Sequence, residues 1–275
     1  MSWEGRPEGG KGIEGPGGAG APPGARARMD SAAVPMTVRR AVDMKEGAGV
    51  DVKRLMPVPG WLSYDPFVFW DHFAIGPDTG FPEHSHRGFE AVTYVLAGAM
   101  RHEDNLGNRS TVIAGGAQRF TAGQGIAHSE LPAGRGGARG IQLWINLPQR
   151  LKAIAPDYQQ VDADQFPVRR FSGGHAVEIA GRSSPLRLHT PVEFLAVHLE
   201  PGVAHREQVP EGYRGFIYVA DGSVAVNGRG LDAGEACFMD NPATIQVEGW
   251  QESLLMFCFG RPHGEPIRQN GPYVD

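Results

Sequence analysis

The chain has 275 residues, of which 21% are charged and 41% hydrophobic, and its formal net charge is -5 at pH 7. This balance is that of an ordinary globular protein with one large domain or two smaller ones, and it excludes a very small scaffold. The mild negative charge also argues against direct nucleic-acid binding, because such proteins need a positive surface to neutralise phosphates.

The first 35 residues are rich in glycine, alanine, proline and arginine and contain almost no aliphatic side chains. Such a segment cannot bury enough surface to offset the entropy lost on ordering, so we predict a disordered tail at 1–35. Residues 10–15 read GKGIEG, which fits the glycine pattern of dinucleotide-binding loops. No strand precedes this motif and no amphipathic helix follows it, so we interpret the match as chance.

From residue 36 onward, apolar residues recur with a period of two in short runs separated by glycine. Turn sequences such as Leu96-Ala97-Gly98 and Ala114-Gly115-Gly116 lie between the runs. Closely spaced strands without helical patterns between them favour an antiparallel sandwich or barrel over an α/β fold. The strands predicted in this half lie at 91–96, 99–103, 110–113, 118–121 and 141–145.

The second half repeats this rhythm. The segments Arg87-Gly88-Phe89 and 94–98 are answered by Arg214-Gly215-Phe216 and 218–222. We therefore predict an all-β protein of two antiparallel, jelly-roll-like β-barrels in tandem, the first at 36–150, a polar linker at 151–167 and the second at 168–275. The strands predicted in the second half lie at 194–199, 216–220, 224–226, 236–239 and 254–259.

Two cysteines, Cys237 and Cys258, fall on predicted strands of the second half. They are too few for a disulfide framework, and the sequence leaves open whether they form a single bridge. The most apolar run, 254–259, is far shorter than the roughly 20 residues that cross a bilayer, and no export signal is evident. These features predict a cytoplasmic protein without membrane contact.

Two pairs of possible metal ligands stand out, His84-Ser85-His86 and His128-Ser129-Glu130. Side chains two apart on a strand point to the same face, so each pair can present both groups to one barrel interior. Three imidazoles and one carboxylate suit iron, zinc, manganese, nickel or copper, and they leave positions open on an octahedral ion. Isolated histidines are more often surface or hydrogen-bonding residues. The surrounding sequence therefore has to indicate whether these pairs bind a metal.

That surrounding sequence resembles a known family. The order of His84, His86, Glu90 and Gly98, followed by a glycine motif that ends at His128, is similar to the two signature motifs of the cupin superfamily. One more residue than usual separates Glu90 from Gly98, and Gly123 stands where cupins commonly have proline. The narrower resemblance is to the pirin family, and it extends from about residue 38 to the C-terminal end. Its hallmark segments are HSHRGFE at 84–90, HEDNLGN at 102–108, TAGQGIAHSE at 121–130 and QLWINLP at 142–148.

The pirin resemblance implies a bicupin whose first barrel binds one Fe(II) ion through His84, His86, His128 and Glu130. Other divalent transition metals would compete well by affinity alone. Glu90 would then lie outside the coordination sphere, where we expect it to orient a ligand imidazole. A buried glutamate bonded to backbone amides is an almost equally good interpretation of Glu90. Glu130 and Glu90 are the proton acceptors expected near the metal, and therefore the candidate catalytic residues.

Other histidines receive different interpretations. We expect His72 to have a surface or packing role in preference to one near the pocket. We expect His102 to face solvent beside the acidic residues Glu103 and Asp104. In the second barrel, His198 and His205 lie without a comparable cluster of ligands. We therefore expect that barrel to be metal-free and structural, or to be a surface for partners.

Because some pirins are similar to quercetin 2,3-dioxygenases, the leading hypothesis is an iron-dependent dioxygenase that joins dioxygen to a flavonoid or small aromatic substrate. The alternative, from the same resemblance, is an iron- or redox-sensing regulatory protein that modulates a transcription factor or metabolic enzyme by protein-protein interaction. A metal-stabilised barrel without present activity is the third possibility.

Overall fold

Antiparallel β-sheets from the two halves of the chain make up the computed structural model, which describes residues 35–275. Within these residues the only helical pieces are two short 3-10 turns at Gln149–Leu151 and Ala163–Gln165, which confirms the all-β class. The tail predicted at 1–35, with its glycine motif, lies outside the described residues except for its last position. In the described part of the chain, no helix is long and apolar enough to cross a membrane.

The first half contributes ten strands. The first of them joins the sheet of the second half, six lie in one large sheet, and the other three form a smaller group connected to it. These strands are β1 (Met36–Arg40), β2 (Val42–Glu46), β3 (Val50–Met56), β4 (Phe67–Ile75), β5 (Phe81–His86), β6 (Phe89–Asp104), β7 (Arg109–Ile113), β8 (Ala117–Thr121), β9 (Ile126–Pro132) and β10 (Ala138–Asn146).

The rest of the chain contributes thirteen strands. The first of them joins the large sheet of the first half, and the other twelve form most of a seven-stranded sheet, a four-stranded sheet and a C-terminal hairpin. They are β11 (Asp157–Val161), β12 (Val168–Phe171), β13 (Gly174–Ala180), β14 (Val192–Leu199), β15 (Ala204–Gln208), β16 (Arg214–Asp221), β17 (Ser223–Val226), β18 (Arg229–Asp232), β19 (Glu235–Asp240), β20 (Thr244–Gly249), β21 (Ser253–Gly260), β22 (Gln269–Asn270) and β23 (Tyr273–Val274).

The two halves share one strand order. The first large sheet runs β8-β6-β10-β4-β3-β2, and the second runs β19-β16-β21-β14-β13-β12. This correspondence is the structural basis of the faint repeat in the sequence, because the segments that begin at Arg87 and Arg214 lead into the equivalent strands β6 and β16.

The two large sheets exchange one edge strand each. Strand β1, at the start of the described residues, pairs with β19 in the sheet of the second half. Strand β11, which follows the first half, pairs with β8 in the sheet of the first half. The predicted boundaries at 36–150 and 151–167 therefore do not coincide with the pairing of these two strands. Strand β11 carries Tyr158 into the first half, where that side chain contacts the site described below.

A single long strand, β6, replaces the two strands predicted at 91–96 and 99–103. The prediction of a turn at residues 96–98 was wrong. The pairing of β6 with β10 is irregular at Leu96, and the strand continues through Gly98, whose φ is +75°. Before this bend β6 pairs with β8 and β10, and after it with β7 and β9. The bend thus carries β6 from one sheet to the other.

The central strands are buried on both faces, which explains their continuous apolar sequence. In β21, Leu255 and Phe257 lie in an apolar cluster inside the second half. Their neighbours Met256 and Cys258 lie in a larger cluster that also contains Trp70 of the first half. The two large sheets therefore pack against each other through these outer faces. Both cysteines are buried and free, so the bridge that the sequence left open is not formed.

Candidate metal centre

Three of the predicted ligands meet because two strands pair in one register. Strands β5 and β9 are antiparallel, and His84 lies directly opposite His128. His86 stands two residues further along β5 and shares the face of His84. The centroid of the His84 ring lies 4.6 Å from each of the other two rings, and ligand nitrogens of all three lie within 4.8 Å of one another.

The two deeper histidines are neutral. Burial lowers the pKa of His86 to about 3, and the neighbouring His84 adds to the effect. Burial likewise lowers the pKa of His128 well below its ordinary value, with further contributions from the surrounding histidines. A neutral imidazole has one nitrogen with a free lone pair, which is the form that binds a metal ion.

The hydrogen bonds of His84 and His86 assign which nitrogen carries the proton. Nδ1 of His84 lies 2.7 Å from the carbonyl oxygen of Pro82, and Nδ1 of His86 lies 3.4 Å from that of Pro272. A carbonyl oxygen can only accept, so each Nδ1 donates, and Nε2 is the nitrogen that carries the lone pair when the imidazole is neutral. Nε2 of His128 is buried without a hydrogen-bond partner in the described part of the chain. This set of three nitrogen donors fits a divalent transition metal.

Glu130 is buried and accepts three hydrogen bonds from one row of side chains. Thr93 of β6 lies opposite both Gln142 of β10 and Gln118 of β8, so the three project side by side. Oε1 of Glu130 accepts from Nε2 of Gln118 at 2.6 Å and from the Thr93 hydroxyl at 3.2 Å. Oε2 accepts from Nε2 of Gln142 at 2.8 Å. All three donors are neutral, so they hold the carboxylate in place without balancing its charge.

The four predicted ligands, together with His102, form two triads that overlap at His128. His84, His86 and His128 form one, and His102, His128 and Glu130 form the other, each with ligand atoms within 4.8 Å. His128 belongs to both, so it is the centre of the cluster. Glu130 belongs to the triad that contains His102 and not to the triad that contains His84 and His86.

His102 corrects a prediction, because the sequence analysis places it in solvent and the structure buries it completely. It follows the bend at Gly98, which turns this end of β6 onto β9, and it lies directly opposite Glu130. Nε2 of His102 lies 3.0 Å from Oδ2 of Asp104. The acidic neighbours of His102 suggested a hydrated turn, but Asp104 points inward as its hydrogen-bond partner.

Glu90 is fully buried and contacts the segment before β14. One carboxylate oxygen accepts from the hydroxyl of Thr121 at 3.0 Å, and the other from the backbone amides of His189 and Thr190 at 2.8 and 3.4 Å. Burial raises the pKa of this carboxyl group. These contacts match the backbone-amide interpretation of Glu90. None of them is with an imidazole of the cluster.

A cavity of about 710 Å³ lies beside the histidine triad. His84, His86 and Gln142 form part of its wall, while His128 and Glu130 do not line it. The rest of the lining includes four aromatic residues, Phe69, Phe73, Phe81 and Trp144, and four charged ones, Glu46, Arg54, Asp71 and Glu83. Trp144 is held between Phe69 and Phe89, with ring centroids 4.2 and 4.1 Å away, and its Nε1 donates to Oε1 of Gln142 at 3.0 Å. The cavity therefore combines rigid aromatic walls with imidazole and amide groups.

The C-terminal segment closes one side of the cavity. Ile267, Gln269, Gly271 and Pro272 line it, and Val274 is fully buried in the same apolar cluster as Trp144. Nζ of Lys152 donates to the carbonyl oxygen of Val274 at 2.8 Å and to two acceptors of the first half, the carbonyl of Gly88 and Oδ1 of Asn146. Sequence reasoning missed this contribution, because only the resemblance of a few late residues pointed to this segment.

The remaining histidines have other partners. His72 is buried, its Nδ1 lies 3.2 Å from the hydroxyl of Tyr218 in the second half, and burial lowers its pKa to about 4. His205 pairs with Glu207 at 2.9 Å. Within residues 35–275, the groups suited to hold a metal ion lie in the first half, and the interior of the second half is packed with aliphatic and aromatic side chains.

Comparisons with known proteins agree with this architecture. A family model described as Pirin matches residues 49–145, and a model described as the Pirin C-terminal cupin domain matches residues 194–275. A pirin-like protein of Caulobacter vibrioides is 37% identical over 241 residues, which cover 83% of this chain and 87% of that protein.

Two solved structures share the fold. A quercetin 2,3-dioxygenase from Acinetobacter baumannii superposes with a TM-score of 0.80 at 28% identity, covering 86% of this chain and 90% of that chain. A bacterial pirin from Escherichia coli, solved in complex with nickel(II), has a TM-score of 0.69 at 25% identity and covers 82% of this chain and 99% of its own.

Proposed function

This chain belongs to the pirin family, and we propose that it is a metal-dependent dioxygenase of the quercetin 2,3-dioxygenase type, acting on a flavonoid or another small aromatic compound. The observation that carries this proposal is the aromatic cavity of about 710 Å³ whose wall includes His84 and His86. Its volume lies within the range of roughly 300–1,000 Å³ that is usual for small-molecule sites.

The walls favour a flat aromatic substrate with hydroxyl groups. Phe69 and Trp144 offer rigid apolar surface for rings, and their stacking keeps them in place. His84, His86 and Gln142 supply polar groups to the wall, and the charged side chains of Arg54 and Asp71 also line it. A flavonoid would lay its rings against the aromatic side chains and direct a hydroxyl group toward the histidines.

We propose that His84, His86, His128 and Glu130 hold one divalent metal ion, Fe(II) in the native protein. When bound, the metal supplies a Lewis acid for the substrate oxygen and, as iron, a redox partner for dioxygen. The three imidazoles, of which those of His86 and His128 are buried, and the carboxylate of Glu130 supply the donors. The nickel(II) complex of the E. coli pirin makes nickel the first ion to compare with iron.

Within this chain, Glu130 is the candidate acceptor of the substrate's hydroxyl proton. Its Oε2 accepts one hydrogen bond, from Gln142, whereas Oε1 accepts two. Oε2 therefore retains lone-pair capacity for a proton. Gln142 connects Glu130 to Trp144 and so orients the carboxylate relative to the cavity. The oxygens of Glu90 accept hydrogen bonds from the hydroxyl of Thr121 and from two backbone amides before β14, so we give it a structural role.

The test is an aerobic assay of iron-loaded protein with quercetin, in which substrate loss and carbon monoxide release are followed together. We expect turnover by the wild type and none by His84→Ala or Glu130→Gln. The matched control is His175→Ala, because His175 stacks on His198 in the second half, away from the triad. Fully iron-loaded wild type that does not consume quercetin or related flavonols would overturn the dioxygenase proposal.

A second candidate function is that of an iron- or redox-sensing regulator of a transcription factor or metabolic enzyme. It is favoured by one contact, the hydrogen bond from Nδ1 of His86 to the carbonyl of Pro272, which connects the cluster to the C-terminal segment. A regulator should expose different surfaces in its Fe(II) and Fe(III) forms. Hydrogen exchange of residues 265–275 that is identical in the two forms would exclude this route.

A further inference from the structure

Three buried side chains, those of Asp104, His102 and His128, form a line that ends at the triad of candidate metal ligands. Oδ2 of Asp104 lies 3.0 Å from Nε2 of His102, and Nδ1 of His102 lies 3.5 Å from Nδ1 of His128. The exposed fractions of the His102 and His128 side chains are 0% and 1%. Beyond His128, its Nε2 is the buried nitrogen without a hydrogen-bond partner among the described residues.

The chemistry of these groups assigns the protons along the line. An ionised carboxylate only accepts, so Nε2 of His102 donates to Asp104. A neutral His102 then has a lone pair on Nδ1, which accepts from the Nδ1–H of His128. A neutral His128 that carries its proton on Nδ1 has its lone pair on Nε2. Each proton assignment follows from the one before it, and the last one leaves Nε2 of His128 ready to bind a cation.

His102 and Asp104 are both held in place by other groups. The His102 ring stacks on Tyr158 of β11, with centroids 4.4 Å apart and planes at 18°. Oδ1 of Asp104 accepts from the backbone amides of Leu106 and Asn108, each at 3.0 Å. The line is therefore rigid, and its geometry does not depend on exposed side chains.

We propose that His102, oriented by Asp104, is a positioning residue that keeps His128 in the tautomer with its proton on Nδ1 and thereby raises the affinity of the site for metal. The proposal rests on the metal site of the proposed function. Groups of this kind, which hydrogen-bond a ligand imidazole, typically change metal affinity by roughly 10- to 100-fold when they are removed.

The competing role for His102 is that of a ligand, because it forms a second triad with His128 and Glu130. A ligand and a positioning residue respond differently to a substitution that keeps only the hydrogen-bonding pattern. In His102→Gln, the side-chain carbonyl can accept from His128 while the amide donates to Asp104. In His102→Leu, neither bond can form.

The experiment measures tautomers and affinity separately. Long-range proton-nitrogen NMR spectra of the metal-free protein report which nitrogen of His128 is protonated, and competition with a chelator gives the affinity for zinc(II), a diamagnetic probe. We expect the Nδ1–H tautomer in wild type and His102→Gln, with zinc affinities within about threefold of each other. His102→Leu should populate the other tautomer of His128 and bind zinc roughly 10- to 100-fold more weakly.

Three results would overturn the proposal: the Nε2–H tautomer of His128 in wild type, an unchanged tautomer and affinity in His102→Leu, or a His102→Gln protein as deficient as His128→Ala. The last result would make His102 a ligand. The wild-type spectrum decides the tautomer even if His102→Leu does not fold. Wild type that shows the Nδ1–H tautomer but binds no zinc would refute the metal site of the proposed function and support the tautomer assignment.

Discussion

The carbonyl oxygen of Pro272 lies 3.4 Å from Nδ1 of His86, so the C-terminal segment contacts a histidine of the first half directly. The same segment buries Val274 beside Trp144. Its backbone thus helps to orient a proposed metal ligand, and its side chains form part of the cavity wall.

Deletion of residues 271–275 should weaken metal binding about 10- to 100-fold, because His86 loses the acceptor that fixes its Nδ1 proton. Chelator competition measures this loss. Asp275→Ala is the matched control, since it removes only an exposed ion pair with Arg87 at 3.0 Å and leaves the backbone in place. Equal affinities of the deletion and the wild type would show that the contact with Pro272 is dispensable.

Gly88→Ala should disturb the same segment without shortening the chain. Gly88 has a φ of +86°, and a Cβ at this position would overlap the carbonyl oxygen of Val274. We expect faster hydrogen exchange in residues 272–275 and a metal affinity that falls in the same direction as in the deletion. Unchanged exchange at these residues would contradict the proposed close packing.

Glu130→Gln and Glu90→Gln should fail in different ways. Glu130→Gln removes a proposed donor and should lose metal, whereas Glu90→Gln should retain it. Glu90→Gln should lower the free energy of unfolding by about 1–3 kcal/mol, because an amide nitrogen, which cannot accept, replaces one of the two oxygens that accept hydrogen bonds. Metal analysis and urea unfolding test both. The reverse pattern, with metal lost only in Glu90→Gln, would reassign the ligand carboxylate.

His72 should make the stability of the metal-free protein depend on pH. Its pKa is about 4 in the folded protein against an ordinary value of 6.5, so between these values the unfolded chain binds a proton that the folded chain does not. The free energy of unfolding therefore falls as pH decreases through this window, by about 1.4 kcal/mol per pH unit from this residue. His72→Gln should flatten the profile by that slope. Parallel profiles of the two proteins would rule out this role for His72.

The cysteines should be unreactive in the folded protein. Burial raises the pKa of Cys237 to about 11 and that of Cys258 well above its ordinary value, which suppresses the reactive thiolate. A thiol reagent should therefore label two groups only after unfolding without reductant. Detection of no free thiol in the unfolded protein would indicate a bridge between them.

Local pattern was sufficient for most of the strands and for the two pairs of candidate metal ligands. Period two predicted most of the strands, and the spacing of His84 with His86 and of His128 with Glu130 follows from the same geometry. The turn predicted at residues 96–98 failed because a glycine in a bent strand and a glycine in a hairpin have the same sequence signature.

The register of the strands and the pairing of distant segments could be determined only from the tertiary structure. Whether Thr93 stands beside Gln118 and Gln142, whether β1 pairs with β19, and whether Pro272 meets His86 all depend on contacts between residues far apart in the chain. The burial of His102 has the same origin, because it needs both the bend in β6 and Tyr158 of β11, which lies more than 50 residues later in the chain.

The amino-acid sequence by itself thus determined the all-β class, the repeated halves and the residue types of the candidate site, because these depend on periodicity and composition within short segments. Only the tertiary structure decided which groups hold Glu130, Glu90 and His128 in place. Hydrogen-bond partners are set by distances of a few ångströms between strands, and no local pattern in the chain encodes those distances.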